Sequence, residues 1–235
     1  MENKFKMSLK DSVRYVSDEL VGLIESISKL EGIDADIPTI SSICYGHTGS
    51  YTDVHGIIVI NNIKTAWRFI TNSLSNEHKA DLNITYLKKI DDIIGAGIID
   101  DCGELRDFPV RITGTDWMPE MVITEEYVKE ELSKLTRENK SETEYCIEVL
   151  IRIMKLQLFP DGNKRVAQLM ANALMLKYGV GIISIPVKYQ DDFRKILREF
   201  YETDNMEEIK EFLYEYCIEG KENRRIGSEY YQEHK

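Results

Sequence analysis

Residues 156–168 read LQLFPDGNKRVAQ, and this stretch joins two apolar helical patterns through a sharp turn. Tyr145 to Leu158 is the most apolar helical pattern of the chain, and Arg165 to Tyr178 begins a long helix that ends at Gly179. The turn exposes unpaired backbone N–H groups and the positive dipole end of the second helix. The pattern therefore predicts an anion site, best suited to phosphate, at this helix start.

The side chains of the turn support the same prediction. Gly162 leaves room for the backbone to approach a ligand, and Lys164 and Arg165 add positive charge beside it. Asp161 carries a carboxylate that could hold Mg²⁺ next to a phosphate. Pro-Asp-Gly-Asn is also a common turn between helices, in which Asp161 or Asn163 only caps the next helix. On composition alone, this second role is the commoner one.

Composition and charge limit the class of protein. The chain has 235 residues, with 30 Lys+Arg and 41 Asp+Glu, and its formal net charge is −11. The 43% hydrophobic and 30% charged residues are typical of a folded globular protein. No apolar run approaches the roughly 18 residues that span a bilayer, and the acidic balance argues against broad nucleic-acid binding. We expect neither a membrane nor a nucleic acid as partner.

The start of the chain and its cysteines indicate a cytoplasmic protein. The first residues, MENKFKMSLK, lack the apolar core and the cleavage site of a secretory signal. The 4 cysteines lie far apart without a CxxC pair, and the 4 histidines form no HxxxH or HExxH pattern. We therefore expect reduced thiols and no zinc site.

Helical periodicity covers most of the sequence and predicts an all-α domain with one small β-hairpin. The hairpin falls in residues 100–119, around the alternation Val110 to Thr113. Gly32 and Pro38 break the first helix, and Thr85 is the predicted N-cap of the third. The predicted helices run through Val13 to Ile27, Val54 to Ile70, Tyr86 to Ile94, Thr124 to Leu135, Tyr145 to Leu158, Arg165 to Tyr178, Gln190 to Tyr201 and Met206 to Glu219.

The order of short motifs resembles the Fic (Fido) family. Leu158 to Arg165 resembles the signature loop of that family, HxFx(D/E)GN(G/K)R, except that the histidine position is Gln157. Further matches, in the order of the family, are Val59-Asn61-Asn62 with Ala66, Phe108 to Gly114, Trp117-Met118-Pro119, and Gly181 to Pro186 with Tyr189. Together they extend over about residues 38–213.

The resemblance implies a fold and an activity. The fold would be the mainly helical Fic/Fido fold with a β-hairpin flap. Active members move the AMP part of ATP onto a Ser, Thr or Tyr hydroxyl of a target protein, with Mg²⁺ on the phosphates. The implied ligand is therefore ATP, or another nucleotide, with Mg²⁺.

The resemblance also implies site residues. By position, Asp161 would hold Mg²⁺, and the phosphate contacts would be Gly162, Asn163, Lys164 and Arg165. The flap residues Phe108, Pro109, Val110, Arg111, Ile112 and Thr113 would dock the target segment by strand addition. Tyr189 is a candidate for a wall of the adenine site, although its helical spacing with other aromatic residues favours a core position.

Gln157 is the main departure from the family pattern, because the family histidine is the general base. A glutamine amide does not titrate near neutral pH and cannot accept a proton as imidazole does. General-base assistance is worth about 10²–10⁴-fold, so we expect a weak or inactive transferase. Three interpretations stay open: an inert residue of a decayed site, an amide that orients a phosphate or a hydroxyl, or an inactivating substitution made for crystallography.

Two phosphate-end positions also depart from the pattern. Lys164 replaces the Gly of many AMP transferases, and Gln168 stands where those enzymes often carry a second Arg for the terminal phosphate. The Asn-Lys-Arg form resembles the Doc branch, in which ATP binds turned around and a phosphate is transferred instead. The orientation of the nucleotide is therefore open.

Many Fic proteins carry an inhibitory helix, (S/T)xxxE(G/N), whose Glu pairs with that second Arg. Ser41 to Gly46 is the segment we assign to it, with Tyr45 at the Glu position. This assignment predicts that the inhibitory Glu is absent. A misaligned loop over residues 41–49 is the equal alternative.

The leading hypothesis is a cytoplasmic, bacterial-type Fic-like protein that binds a nucleotide and is weak or inactive as a protein AMP transferase (AMPylator). One alternative is a Doc-like phosphotransferase, or a transferase of another phosphate-containing group, acting on a protein hydroxyl. The other is a non-catalytic module that binds a partner through the flap edge. The expected partner is a protein with an exposed hydroxyl or an extended segment, and a homo-oligomer stays open. We divide the chain into an N-terminal helical segment packed on the domain (1–37), the Fic domain (38–220) and a charged, flexible tail (221–235).

Overall fold

The computed structural model describes residues 1–49, 51–77 and 79–221. Over these residues the helices are α1 (Leu9–Leu30), α2 (Ile37–Cys44), α3 (Val54–Glu77), α4 (Ile84–Gly95), α5 (Glu125–Ser133), α6 (Glu142–Leu156), α7 (Asn163–Tyr178), α8 (Gln190–Thr203) and α9 (Glu207–Tyr216). The strands β1 (Ile182–Ile183) and β2 (Ile218–Glu219) pair antiparallel, with Ile182 opposite Glu219. The predicted mainly helical fold is confirmed.

Helix α7 lies at the centre of the core. Between Asn163 and Leu176, every residue except Lys164 is buried. Helices α1, α3, α4 and α6 and strand β1 all contact it. A helix that is buried on all sides needs apolar neighbours around its whole circumference, and these elements supply them. The start of α7 is therefore held in place by the most densely packed part of the molecule.

Polar caps fix where five of the other helices begin. Ser8, Asp36, Asn83, Thr124 and Ser141 each accept a hydrogen bond from a backbone N–H of the first turn that follows. The prediction of Thr85 as the cap of the third predicted helix is wrong. Asn83 Oδ1 accepts from Tyr86 N at 2.9 Å, so α4 begins two residues earlier, at Ile84.

Helix α2 was not predicted from the sequence, in which Pro38 was expected only to break the first helix. Asp36 caps this helix, and Pro38 lies in its first turn, where a missing N–H leaves no hydrogen bond unmade. Ile40 and Ile43 are buried and anchor α2 to the core. The chain between α1 and α3 is therefore partly helical.

The predicted hairpin at residues 110–113 is wrong, because the described residues form no strand between α4 and α5. We call this irregular stretch, residues 106–123, the flap segment. It is held in place by the buried side chain of Arg106. Its guanidinium donates to the carbonyl oxygens of Phe108, Glu120 and Met121 at 2.5–2.9 Å. Carbonyls that bond to Arg106 are not free to pair with a facing strand, so the segment is held without a ladder.

The N-terminal helix shares the core with the rest of the chain. Helix α1 contacts α2, α3 and α7, and its apolar face, including Val16, Leu23 and Ile27, is buried. Lys221 pairs with Asp18 at 2.8 Å, and the rest of the predicted tail lies outside the described residues. Among the described helices, none is long and apolar enough to cross a bilayer.

Candidate phosphate-binding site

The turn between α6 and α7 uses two left-handed residues to reverse the chain. Gln157 ends α6 with φ 48° and ψ 58°, and Gly162 precedes α7 with φ 78°. A Cβ on Gly162 would lie 2.9 Å from Ile94 Cδ1 and 3.6 Å from Asp91 Oδ1. Only glycine therefore combines this backbone conformation with the close approach of α4.

The first turn of α7 is free of a side-chain cap. Gly162 occupies the N-cap position, and no side chain bonds to the first N–H groups of the helix. The first helical hydrogen bond runs from Val166 N to Gly162 O at 2.9 Å, so the N–H groups before Val166 have no helical partner. These groups and the helix dipole give the turn a positive end without any charged side chain.

This helix start borders a cavity of about 360 Å³. The residues that line it come from the end of α1, the flap segment, the turn and α8. They are Glu31, Val110, Arg111, Ile112, Thr113, Gln157, Pro160, Asp161, Asn163, Lys164, Arg194, Leu197, Arg198 and Tyr201. The structure thus brings together Gln157, Asp161, Asn163, Lys164 and four of the six predicted docking residues.

Asn163 holds the turn in shape. Its Oδ1 accepts from Phe159 N at 3.0 Å, and its Nδ2 donates to Phe159 O at 2.8 Å. Phe159 itself is fully buried. The Asn163 amide is thus occupied by the backbone of the turn, and it supports the anion site from within.

Four charged side chains form ion pairs at the other end of the turn. Glu31, the residue that ends α1, pairs through Oε1 with Lys164 Nζ at 3.2 Å and through Oε2 with Arg165 Nε at 3.5 Å. Arg165 Nη2 also lies 3.3 Å from Asp161 Oδ2. The Arg165 side chain is 4% exposed and does not line the cavity, whereas Lys164 does. Of the two predicted cations, Lys164 therefore faces the cavity and Arg165 lies behind the turn.

Glu31 was not among the predicted site residues, and the prediction that Tyr45 occupies the inhibitory position is wrong. Tyr45 is 79% exposed and lies outside the cavity lining. The acid that contacts Lys164 and Arg165 of the turn is Glu31. Gly32 follows it, as Gly or Asn follows the Glu of the inhibitory pattern. The Glu-Gly pair at the end of a strongly periodic helix was the signal that could have identified it.

Asp91 of α4 is buried directly beneath the turn. Its Oδ2 accepts from Gly103 N at 2.8 Å, and its Oδ1 has no hydrogen-bond partner. Burial raises the pKa of this carboxyl to about 7, against the opposing effects of the Gly103 N–H and the Arg165 charge. The carboxyl is the titratable group closest to physiological pH behind the phosphate loop.

The Gln157 amide is turned back toward its own helix. Nε2 donates to Met154 O at 2.6 Å, and the Gln157 carbonyl accepts from Arg106 Nε at 2.6 Å. Tyr201 also bonds to Met154 O, at 3.3 Å, and burial raises the pKa of its hydroxyl. No histidine is among the residues that line the cavity.

The acids at the cavity meet the requirements of Mg²⁺ only in part. Mg²⁺ in phosphate sites is bound by one or two carboxylates together with substrate oxygens and water. Asp161 is 71% exposed at the cavity, and its Oδ1 accepts from Gly162 N at 2.6 Å. Among the described residues no group of three or more His, Cys, Asp or Glu side chains is placed to hold a metal ion. A metal would therefore depend on the phosphates of a ligand for most of its coordination.

Tyr189 lies away from the cavity, in contrast to its prediction as an adenine wall. Its ring centroid is 5.0 Å from that of Tyr216 and 6.3 Å from that of Phe212. The short helical turn Val187–Tyr189 directs the ring toward α9, and the cavity lining does not include it. Phe108 and Pro109 of the predicted docking edge also lie outside the lining.

Part of the chain matches a known protein family, and the fold is similar to solved structures. Residues 81–175 match the sequence model of the Fic/DOC family, and they include the whole turn. A search of curated proteins finds no match. The fold is similar to Fic-1 (residues 134–508) from C. elegans, with a TM-score of 0.69, 16% identity and coverage of 87% of this chain and 68% of that one.

Two bacterial structures show the same fold. A Fic domain containing signaling protein from Bacteroides thetaiotaomicron aligns with a TM-score of 0.70 and 15% identity, over 88% of this chain and 85% of that one. BepC, a VirB-translocated effector from Bartonella tribocorum with bound AMPPNP, aligns with a TM-score of 0.51 and 14% identity, over 74% of this chain and 96% of that one.

The helical fold and the match of residues 81–175 to the Fic/DOC family model support a Fic/Fido domain in this chain. The chain contains a Fic/Fido domain, whose signature turn is Leu158 to Arg165.

Proposed function

We propose that the protein binds the phosphates of a nucleotide at the start of α7. The uncapped first turn of α7, which borders a cavity together with Lys164, is the observation that carries this proposal. Backbone N–H groups and a helix dipole favour an anion there, and the cavity is open to receive one. The similarly folded BepC structure holds AMPPNP, which supports a nucleotide as the ligand.

Asp161 is the residue that would hold Mg²⁺ beside those phosphates. It is the exposed carboxylate of the turn, and its backbone contact with Gly162 fixes its position. Bound Mg²⁺ would neutralise charge on the phosphate oxygens. Within the chain itself, Asp161 also keeps Arg165 directed toward the turn.

We further propose that AMP transfer is weak or absent, because Gln157 provides no base. A hydroxyl that attacks phosphorus must lose its proton, and a neutral amide cannot take it. The Gln157 amide already donates to Met154 O, so its more direct role is to hold the end of α6. The loss of general-base assistance accounts for about 10²–10⁴-fold in rate.

The orientation of the nucleotide distinguishes AMP transfer from phosphate transfer. Lys164 lines the cavity where many AMP transferases have Gly, so one phosphate meets an ammonium group there. Lys164 by itself does not decide in which orientation the nucleotide binds. Labelling with ATP that carries ³²P at the α- or the γ-position would tell the two reactions apart, because only the transferred group stays on the target.

The binding proposal is tested by thermal unfolding with ATP and Mg²⁺. A ligand that binds only the folded protein raises the melting temperature, and at 100 times Kd it adds about 2.7 kcal/mol of stability. The control is Lys195→Ala, which removes a positive charge on the exposed side of α8. Absence of any shift at millimolar ATP would contradict the proposal.

The proposal on catalysis is tested with Gln157→His. If the rest of the site is intact, this variant should label itself or a target protein from lysate far faster than the wild type. Equal, strong labelling by the wild type would show that Gln157 does not limit activity. A nucleotide-binding variant without labelling would place the defect at Lys164 and Gln168 instead.

A second candidate function, a module that binds a partner protein, is favoured by the exposed apolar residues of the flap segment. Phe108, Met118, Met121 and Val122 are each more than 40% exposed. Such a strip is typical of a protein-binding edge. Under this proposal the protein would capture a partner without ATP, and Met121→Asp with Val122→Asp would abolish that capture.

A further inference from the structure

The cations on the turn side of the cavity are already neutralised within the chain. Lys164 and Arg165 both pair with Glu31, and Arg165 also pairs with Asp161. Gln168, one helical turn after Lys164, is buried, and its Nε2 donates to Lys164 O at 3.3 Å. It does not line the cavity. Helix α7 therefore offers a second phosphate no free positive charge.

Two arginines on the other walls of the same cavity are unpaired. Arg111 of the flap segment and Arg198 of α8 both line it. Among residues 1–49, 51–77 and 79–221, neither arginine has an ion pair or a hydrogen bond. Arg194, one turn earlier on α8, is in contrast bonded to Asp191 and to the carbonyls at the end of α1.

The position of Arg198 is set by the flap segment. A Cβ on Gly114 would lie 3.1 Å from Arg198 Cδ and 3.7 Å from Arg198 Nε, so the arginine stem lies directly against the glycine backbone. Gly114 has φ 86°, a conformation in which a side chain is strained as well. The segment that carries Arg111 and the helix that carries Arg198 are therefore in contact beside the cavity.

A guanidinium without a carboxylate partner gains most from an anionic ligand. It can donate two parallel hydrogen bonds to one phosphate, which makes it more selective than an ammonium group. The start of α7 and the two arginines lie on different walls of one cavity, so they can contact different phosphates of one polyphosphate ligand. A monophosphate could use only one of these two sets of donors.

We propose that Arg111 and Arg198 form a second anion subsite, which binds the distal phosphate of a nucleoside di- or triphosphate while α7 binds a nearer one. The proposal rests on the proposed function for the identity of the ligand as a nucleotide. The polyphosphate chain is what the two walls recognise.

The test is isothermal titration of the full chain with AMP, ADP, ATP and inorganic tripolyphosphate. We expect the wild type to bind ATP and tripolyphosphate more tightly than AMP. Arg198→Ala and Arg111→Ala should each weaken ATP and tripolyphosphate binding by about 10-fold or more and leave AMP binding unchanged. Arg198→Lys should recover only part of the loss, because it cannot form the paired hydrogen bonds.

Lys195→Ala is the matched control, since it removes one positive charge from the same helix at an exposed position outside the cavity lining. It should change no affinity by more than a small factor. Melting temperatures of all variants without ligand check that the fold is retained. Arg111 and Arg198 have no partner to lose within the described residues, so both substitutions should be tolerated.

The outcomes separate this proposal from the proposed function. Equal ATP affinity of the wild type and both arginine variants would overturn the subsite and leave nucleotide binding intact. Binding of tripolyphosphate that depends on the arginines, without binding of any nucleotide, would support the subsite and contradict the nucleotide. A wild type that binds none of the four ligands would overturn both proposals.

Discussion

Asp91 shows how one buried side chain can make the phosphate loop sensitive to pH. The unfolded carboxyl has its ordinary pKa of 3.8, and in the fold burial raises the pKa to about 7. The folded protein therefore binds this proton more tightly than the unfolded chain does. The corresponding stability is fully present below the unfolded pKa and is lost as the pH rises from about 4 to about 7.

We expect the free energy of unfolding to fall with rising pH in that window because Asp91 must ionise in a buried site. The steepest slope for one group is about 1.4 kcal/mol per pH unit. Asp91→Asn keeps an acceptor for Gly103 N and removes the titration, so it should flatten the profile. Urea unfolding from pH 5 to 8 measures this, with the exposed Asp101→Asn as control. A slope that Asp91→Asn leaves unchanged would exclude this assignment.

Glu31 affects ligand binding. Its carboxylate competes with an anionic ligand for the positive charges of Lys164 and Arg165. Its carboxylate lies 3.2 Å from Lys164 Nζ and 3.5 Å from Arg165 Nε. Glu31→Gln should tighten the binding of ATP with Mg²⁺ by about 3- to 10-fold, because both cations lose their internal anion. Titration calorimetry measures the change. Glu19→Gln is the matched control, about 18 Å earlier along the same helix, and weaker binding by Glu31→Gln would count against the competition.

At the scale of elements, the sequence predicts long helices well and short or irregular segments poorly. Helices α1, α3, α6 and α7 have enough periodic apolar positions to be predicted from the sequence. Helix α2 has eight residues and depends on its cap and two buried isoleucines, which a periodicity search cannot separate from a loop. The flap segment alternates like a strand, yet its conformation is set by the side chain of Arg106, which binds carbonyls between 2 and 51 residues away.

The candidate site also has a local part, whose shape the sequence predicts, and a part from distant segments that the sequence does not predict. The turn from Pro160 to Asn163 is local, so its sequence was enough to predict a sharp turn before α7 there, and the anion site stays a prediction. Glu31 and Arg198 reach the same cavity from α1 and α8, far away in sequence. Nothing in their neighbouring residues specifies that the chain returns to this point. Only the packing of α1 and α8 around α7 brings them together.

Arg106 is the residue on which the flap segment depends as an element. Its guanidinium bonds to the carbonyls of Phe108, Glu120, Met121 and Gln157, and so ties the flap segment to the end of α6. Arg106→Met should lower the free energy of unfolding by about 3 kcal/mol or more, because buried carbonyls lose their partner. It should also speed proteolysis within residues 107–122.

Arg111→Met is the control for this prediction, because Arg111 lies exposed on the same segment and has no internal bond among the described residues. Its effect on stability should stay within about 0.5 kcal/mol. If Arg106→Met leaves both the unfolding energy and the cleavage pattern unchanged, Arg106 does not hold the flap segment.

At the scale of the whole molecule, the end of α1 is bonded to α8 and to the segment just before it. Ser26 Oγ donates to Ile185 O at 2.8 Å and accepts from Ile185 N at 3.1 Å. Gln190 Nε2 donates to Ser26 O at 2.8 Å, and Arg194 reaches the Leu30 carbonyl at 3.2 Å. The division at residue 37 stays a prediction, but these contacts give the segment before it a share in the common core.

Because α1 shares that core, we expect residues 1–37 to unfold together with the rest of the domain. Trp67 is buried in α3, and Trp117 stacks on Tyr201 at 5.3 Å beside the cavity, so their fluorescence reports on two distant regions. In urea, Trp117→Phe and Trp67→Phe should each give a fluorescence midpoint that coincides with the far-UV circular dichroism of the same variant. A separate helical transition without a change in either tryptophan would instead make the N-terminal segment an independent unit. Coincident midpoints would mean that α1 and the phosphate loop are stabilised together, and that any ligand bound at the start of α7 also stabilises the helix that carries Glu31.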